Sequence, residues 1–220
     1  MASGKEVMGF FKSERLLYRA VEDSNDDGAF FHKYIMNDPV HQVFARSNLR
    51  RPYTEKAAQD FVKKLQDTIL SVMICLPQNK RDLGIQVDER GSAPTPIGFM
   101  SLSPNMTADV FPNRNAMLGI CLLEDFRGKG YGSEAINWVL DWGFRTAGLH
   151  RVNLVAISYN QIAIKLYRKL GFVEEGRERE AIYHDRAWHD LVHLAMLEHE
   201  WESLRAMQEP DLEVGGSLAA

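Results

Sequence analysis

The stretch from residue 115 to residue 158 constrains the fold more than any other part of the sequence. It begins with a continuous apolar run, NAMLGICLL (115–123), of the kind that is buried on both faces of a sheet. A loop with three glycines, an amphipathic helix and a second apolar run, RVNLVAIS (151–158), follow in that order. Strand, glycine turn, helix and strand form a βαβ unit, so the two strands are predicted to be parallel with a right-handed crossover.

The segments on either side of this unit add further strands and helices. Their apolar patterns predict strands at 14–21, 69–76 and 96–103, helices at 26–38, 53–67 and 160–170, and one or two strands through WHDLVHLAMLEHEW near the end. Thr54 is the predicted cap of its helix, and residues 77–95 are predicted to be a long connection. These elements predict one α/β (α+β) domain over 13–205, between an N-terminal extension (1–12) and a mobile C-terminal tail (206–220).

Composition excludes several classes of protein. The net charge of −4 over 220 residues argues against nucleic-acid binding, which needs a basic face, and is compatible with cationic substrates. Cys75 and Cys121 both lie in apolar runs, which predicts buried, reduced thiols with no disulfide and no metal cluster. No apolar stretch approaches the roughly 20 residues that span a bilayer, and the N-terminus lacks the apolar core of a signal peptide. We therefore expect a cytoplasmic protein with no membrane partner.

The glycine loop can be compared with three phosphate-binding patterns. The P-loop pattern fails, because Leu123 stands where its first glycine belongs. The dinucleotide pattern fits loosely, but the chain has no acidic residue between Asp141 and Glu174 to hold a ribose. The third pattern, Arg/Gln-x-x-Gly-x-Gly/Ala, is matched by Arg127, Gly130 and Gly132. Consecutive amides at a helix start bind anions, so this match predicts a pyrophosphate site; a plain tight turn is the alternative.

Two blocks of sequence resemble a known family. They are GICLLEDFRGKGYGSEAINWVLDWGF (119–144) and VAISYNQIAIKLYRKLGFVEEGRERE (155–180). Both are similar to the GNAT superfamily of acetyl-coenzyme A-dependent N-acetyltransferases, and the ending looks like its spermidine and ribosomal-protein N-terminal acetyltransferase branch. The likeness covers roughly residues 14–200. It implies the GNAT fold, with a central mixed sheet flanked by helices and splayed between strands 117–123 and 151–158.

The resemblance also implies which residues bind the cosubstrate, acetyl-coenzyme A. The backbone of β-strand residues Ile120, Cys121 and Leu122 would pair with the pantetheine arm. Asn160 would lie near the pantetheine, with a plain helix N-cap as the alternative. The pyrophosphate would be bound by the glycine loop: Arg127, Gly128, Lys129, Gly130, Tyr131, Gly132 and Ser133.

Catalytic roles are implied in the same way. Tyr167 would donate a proton to the departing coenzyme A thiolate, with a core tyrosine as the alternative. Cys121, a lone cysteine in an apolar strand, is given no chemistry. Met117 stands where many members carry a glutamate that acts as general base. Glu180, His184 and Asp185 are neighbours in sequence that could replace it, and the base is left unassigned.

Two further features compete with this interpretation. HDLVH (189–193) is close to the zinc-protease motif H-E-x-x-H, but aspartate replaces the glutamate and the segment has strand character. An acidic cluster near the start of the first helix could attract a polyamine, although such clusters usually complement a helix dipole. Its members are Glu22, Asp23, Asp26 and Asp27.

The sequence therefore predicts an enzyme that transfers acetyl from acetyl-coenzyme A to a primary amine by direct attack, without a metal. The acceptor would be a polyamine, another small amine or a protein N-terminus, and a homodimer is left open. A non-catalytic coenzyme A-binding module is the main alternative, because of Met117. A dinucleotide oxidoreductase ranks third, because the ribose-binding acid is missing.

Overall fold

The computed structural model describes residues 11–45, 48–77, 94–104 and 113–207. Their strands form one seven-stranded mixed sheet. The strands are β1 (Leu17–Ala20), β2 (Leu70–Leu76), β3 (Thr95–Pro104), β4 (Asn115–Leu122), β5 (Arg151–Ile157), β6 (Val173–His184) and β7 (Ala187–Leu197). Their order across the sheet is β1-β2-β3-β4-β5-β7-β6, so the predicted α/β domain with a central mixed sheet is confirmed.

Helices cover both faces of this sheet. They are α1 (Asn25–Phe30), α2 (Pro39–Phe44), α3 (Glu55–Gln66), α4 (Tyr131–Asp141), α5 (Gln161–Lys169) and α6 (Glu198–Ala206). Short π-helical turns extend α1 through Phe31–Met36 and α4 through Trp142–Thr146. Thr54 caps α3 as predicted, since its hydroxyl accepts a hydrogen bond from Ala57 N at 3.2 Å.

The central feature of the sheet is a gap between β4 and β5. These strands are parallel, as predicted, but they pair only from Asn115 to Met117 and from Arg151 to Asn153. Beyond that point β4 continues to Leu122 and β5 to Ile157 without pairing to each other. The predicted splay is therefore present, and one edge of β4 faces an open cleft.

Two apolar layers hold the helices against the sheet. One layer packs α4, α5 and α6 on β4 and β5, with Ile136, Leu154 and Trp201 among its buried members. The other packs α1 and α3 on the opposite face, around Phe31 and Val62. Because side chains alternate along a strand, β4 contributes to both layers, which fixes the orientation of its free edge.

The structure corrects the expectations at two places. Residues 198–201, predicted as the end of a strand, begin the helix α6, because Trp201 packs on Phe144 at 5.4 Å between ring centroids. The helix predicted over 26–38 is α1 and its π-helical turn, and the short helix α2 after it was not predicted. Most of the predicted connection 77–95, most of the N-terminal extension and residues 208–220 of the tail lie outside the described residues.

Candidate active site

The glycine loop joins the end of β4 to the start of α4. Gly128 and Gly130 have φ values of +72° and +84°, a left-handed conformation that side chains disfavour. Gly130 is the N-cap of α4, and no side chain caps the helix. The first amides of α4 therefore point into an exposed loop, at the positive end of the helix dipole, where an anion can accept their hydrogen bonds.

Three cationic side chains surround this loop. The Arg127 Nε donates to Leu122 O at 2.8 Å, which ties the loop back to β4. Lys129 Nζ lies 5.6 Å from the centroid of the Phe126 ring. Arg15, which the sequence analysis missed, donates to Lys129 O at 3.1 Å. The loop therefore combines open amides with positive charge, as a pyrophosphate site requires.

Glu134 places a negative charge in the first turn of α4, close to the predicted anion site. Burial opposes its ionisation, but hydrogen bonds from Ser13 Oγ (2.6 Å) and Arg15 N (2.7 Å) hold its pKa below the ordinary value. Arg15 Nε also pairs with this carboxylate at 2.8 Å. Glu134 is thus neutralised locally and fastens the segment before β1 to the start of α4.

The free edge of β4 presents backbone groups to the gap. Leu123 N donates to Ile97 O of β3 at 2.9 Å, so by alternation the amide of Cys121 also faces β3. The amides and carbonyls of Ile120 and Leu122 then face the gap. Ala116 O, in the same alternation, accepts from Asn153 Nδ2 on the β5 side at 3.1 Å. Of the three predicted pantetheine-binding positions, two therefore direct backbone groups into the cleft.

Tyr167 lies on α5 and is half-buried against Phe172, with 6.0 Å between ring centroids. Burial raises the pKa of Tyr167 to about 12, with a smaller contribution from the Cys121 thiol. Tyr167 packs against the same apolar layer as Ile120 and Leu122 of β4. Within the described residues the hydroxyl makes no hydrogen bond, so its proton is not committed to a protein acceptor.

Asn160 and Gly171 act at the two ends of α5, and Met117 lies on β4. Asn160 caps α5 by accepting from Ala163 N at 3.3 Å, and its amide group donates to Phe44 O of α2 at 3.3 Å. Gly171, with φ +99°, follows the C-cap residue Leu170 of α5 and donates from its amide to Arg168 O at 3.0 Å, which ends the helix. Met117 is 38% exposed and is the last β4 residue that pairs with β5, so it lies where the gap begins.

The three candidate bases do not come together. Glu180 lies in a bulge of β6 and Asp185 in the tight turn between β6 and β7, and both are exposed. His184 contacts Arg50 through its Nδ1. The amide of Glu180 donates to Asp190 Oδ1 on β7 at 3.0 Å, but the carboxylates of Glu180 and Asp185 stay at the surface, so the structure singles out no carboxylate for the base.

A second group of polar residues lies on the other side of the gap, where β5 ends. Arg50 Nη2 donates to the Tyr159 hydroxyl at 3.1 Å, and that hydroxyl donates to Val43 O of α2 at 2.5 Å. The Tyr159 ring lies 4.8 Å from the His189 ring and 5.3 Å from the His184 ring. We call Arg50, Tyr159, His184 and His189 the Arg50 cluster. Sequence analysis missed it as a group, because its members come from three separate segments.

The two competing motifs have structural explanations. His189 and His193 lie on the strand β7, about 13 Å apart along the chain, whereas the zinc-protease motif needs a helix. No group of three His, Cys, Asp or Glu side chains within the described ranges could hold a metal ion. In the acidic cluster, Asp27 binds Arg19 through two hydrogen bonds of 2.8 and 2.5 Å.

No helix in the described part of the chain is long and apolar enough to cross a membrane.

Comparison with known sequences identifies relatives. The acetyltransferase (GNAT) domain family matches residues 15–173. The putative ribosomal N-acetyltransferase YdaF of Bacillus subtilis (strain 168) is 33% identical over 90 residues, which are 41% of this chain and 49% of YdaF. Spermidine N(1)-acetyltransferase of Escherichia coli (strain K12) is 27% identical over 89 residues, 40% of this chain and 48% of that enzyme. The matches thus span about half the length of these relatives.

Solved structures share the fold over most of the chain. Spermidine N-acetyltransferase from Vibrio cholerae, in complex with CoA and spermine, superposes with a TM-score of 0.66 at 22% identity, over 86% of this chain and 99% of that one. A GNAT-family acetyltransferase from Bacillus anthracis superposes with a TM-score of 0.64 at 24% identity, over 86% of this chain and 98% of that one. At this identity the likeness establishes the fold.

Proposed function

The chain belongs to the acetyltransferase (GNAT) domain family, and from that premise we propose that it transfers acetyl from acetyl-coenzyme A to a primary amine. The observation that carries the proposal is the open edge of β4, which continues directly into an uncapped, glycine-rich helix start. A thioester with a long amide-containing arm and a pyrophosphate fits such an edge and loop together. A dinucleotide has no comparable arm to pair with a strand.

The chain's own residues divide the binding of this cosubstrate between them. The amides of residues 128–133, with the charges of Arg127 and Lys129, hold the pyrophosphate. The backbone groups of Ile120 and Leu122 pair with the pantetheine amides, and Asn160 borders the same cleft. Cys121 supports the strand through its side chain and takes no part in bond making.

Transfer then proceeds by direct attack. The amine nitrogen forms a bond to the thioester carbon, the carbon–sulfur bond breaks, and the nitrogen loses a proton. The sulfur leaves as a thiolate, which receives a proton from the Tyr167 hydroxyl. Because burial raises the pKa of Tyr167 to about 12, the hydroxyl is protonated at neutral pH and has a proton to give as the carbon–sulfur bond breaks; the phenolate that remains recovers a proton from solvent.

The proton lost by the amine has no assigned acceptor. Met117 occupies the position where an acid is common, so we propose that water, oriented by backbone carbonyls of the cleft, carries this proton to solvent, with the His184 imidazole as the alternative acceptor. The absence of a carboxylate at this position supports the second candidate function, a coenzyme A-binding module without catalysis. Tyr167, with an uncommitted hydroxyl, supports the enzyme.

The acceptor classes in this proposal are polyamines, other small amines and protein N-termini. One relative is named a spermidine N(1)-acetyltransferase and another a putative ribosomal N-acetyltransferase, and these names support the choice of acceptors. The test is release of free thiol from acetyl-coenzyme A in the presence of spermidine, amino acids and short peptides, with an acceptor-free reaction as the background. Release that depends on an amine, together with the acetylated product in mass spectra, supports the enzyme. Binding of coenzyme A without release for any amine supports the binding module instead.

A further inference from the structure

We propose that Arg50 binds a carboxylate carried by the acceptor, so that this site prefers amines that also bear a negative charge. This inference rests on the proposed acetyl transfer and names the acceptor class. It concerns the β5 side of the gap, across from the glycine loop that follows β4.

The Arg50 guanidinium carries a charge that the described residues do not neutralise. Its Nη1 contacts His184 Nδ1, and its Nη2 donates to the Tyr159 hydroxyl at 3.1 Å. Its Nε is buried and finds no hydrogen-bond partner within the described part of the chain. No Asp or Glu of those residues forms an ion pair with it.

The neighbours of Arg50 cannot supply the missing negative charge. Burial raises the pKa of Tyr159, although Arg50 lowers it, so the phenol remains neutral. Its proton is donated to Val43 O at 2.5 Å, which leaves the oxygen to accept from Arg50. His184 and His189 are neutral or positive, never negative. A half-buried guanidinium without a counter-ion is costly, and a carboxylate is the group that its planar fork binds best.

The position of Arg50 suits a group on the acceptor. Tyr159 follows β5 directly, at the end where β4 and β5 are furthest from pairing. α2 links this end to the coenzyme loop: Asp38 before it lies 3.9 Å from Arg127, and Phe44 at its end accepts from Asn160 at 3.3 Å. A helix of this length spans about 9 Å, so the Arg50 cluster and the coenzyme loop border the same cleft at a separation that a small acceptor can bridge.

The same surroundings disfavour a polyamine. An uncompensated guanidinium repels a polycation at this range. The acidic cluster near α1 adds little attraction for a polycation, because Asp27 already pairs with Arg19 and Asp23 lies 3.9 Å from Lys63 Nζ. The acceptor inferred here therefore differs in charge from spermidine.

The test uses acceptors in matched pairs, on the full chain. A series of ω-amino acids from glycine to 6-aminohexanoate is compared with the corresponding amides, which keep the amine and lose only the negative charge. We expect kcat/KM to favour the acid over the amide by about 10- to 100-fold at the length that matches the site. The preference is expected to appear mainly in KM.

Variants then assign the preference to Arg50. Arg50→Gln should abolish it, and Arg50→Lys should retain part of it, because lysine keeps the charge without the fork. Arg51→Gln is the matched control, since Arg51 is exposed and stacks on Tyr53, outside the cluster; it should leave the preference unchanged. A wholly structural role for Arg50 would lower the melting temperature without changing the acid-to-amide ratio.

Three results would overturn the inference. They are an equal response of the wild-type chain to acids and amides at every length, a preference that survives Arg50→Gln, and acetylation of spermidine with none of the acids. If no amine of any kind is acetylated, the proposed function fails as well, so the two failures can be told apart.

Discussion

On the coenzyme side of the β4–β5 gap, most of the proposed binding residues come from one continuous stretch, 120–133. On the acceptor side they come from distant segments: Arg50 is separated from Tyr159 by 109 positions and from His184 by 134. The coenzyme side uses mainly backbone amides, whose geometry depends on glycines. The acceptor side uses charged and aromatic side chains, whose placement depends on the packing of α2 and the β6–β7 hairpin.

This difference indicates how substitutions should affect the coenzyme side and the acceptor side of the gap. A backbone site is fixed by the local turn and retains its ligand when surrounding side chains vary. A side-chain site depends on each of its members, so single substitutions alter which ligand it accepts. The account therefore predicts that coenzyme binding and acceptor choice can be altered separately.

The largest expected effect is that of Tyr167→Phe, which removes only the hydroxyl oxygen and keeps the ring. If the hydroxyl protonates the thiolate, turnover should fall by roughly 10²–10⁴, the range for a positioned acid. The KM for acetyl-coenzyme A should change far less, because this contact strengthens mainly in the transition state. Steady-state kinetics with an acceptor that the parent clearly uses would measure both.

The exposed Tyr34 provides the control for this change. Tyr34→Phe removes the same oxygen from a ring that is 44% exposed on the π-helical turn after α1, and should leave turnover unchanged. Parental turnover in a well-folded Tyr167→Phe variant would make Tyr167 a core tyrosine.

Asp27→Asn should affect stability and spare acceptor choice. The Asp27 side chain is 3% exposed and its partner Arg19 is 38% exposed, so the variant leaves a charge without its partner and should cost about 3 kcal/mol. Burial opposes ionisation of Asp27, but hydrogen bonds from Arg19 and Glu22 N hold its pKa below the ordinary value. The pair's contribution is therefore full above the ordinary carboxyl pKa and is lost as pH falls through the depressed one.

Urea denaturation of both proteins at neutral and acid pH would measure this. The difference between parent and variant should shrink in acid. A selective loss of activity toward polyamines in the variant, at unchanged stability, would mean that the acidic cluster binds the acceptor.

The smallest effect is expected for Cys121→Ala. Cys121 is 7% exposed, and shortening it should cost about 1 kcal/mol of stability through lost packing, while most of the activity remains. Thermal melts and turnover numbers would check this. Trapping of an acetyl group on Cys121, seen as a mass increase of the intact chain, would mean that transfer passes through the enzyme.

The sequence was most informative where structure is local. The apolar run of β4, the glycines and the helix caps at Thr54 and Asn160 are adjacent to what they determine, and the parallel strand pair followed from them. The splay of that pair was implied by the resemblance to the GNAT superfamily. The role of the acidic cluster near α1 could also be predicted in part, since charges at a helix start usually act locally.

What the sequence did not reveal depends on long-range packing. α6 was missed because its helical pattern is weak and its stability comes from Trp201, which packs on Phe144 and donates to Asp141 at 3.0 Å. Arg15 joined the loop through contacts more than a hundred positions away. The Arg50 cluster has no sequence motif that could reveal it, because its members come from three separate segments that meet only in the folded chain.

The central claim, that the glycine loop and the open edge of β4 bind coenzyme A, is tested most directly by ligand-dependent melting. Coenzyme A at 100 times its Kd should stabilise the parent by about 2.7 kcal/mol, and NAD should not. Gly130→Asp should abolish the shift, because it places a carboxylate where the phosphates bind. Gly148→Asp is the matched control, a left-handed glycine (φ +62°) with open space around it, and it should keep the shift. Equal stabilisation by NAD, no stabilisation by coenzyme A, or a full shift in Gly130→Asp would contradict the account.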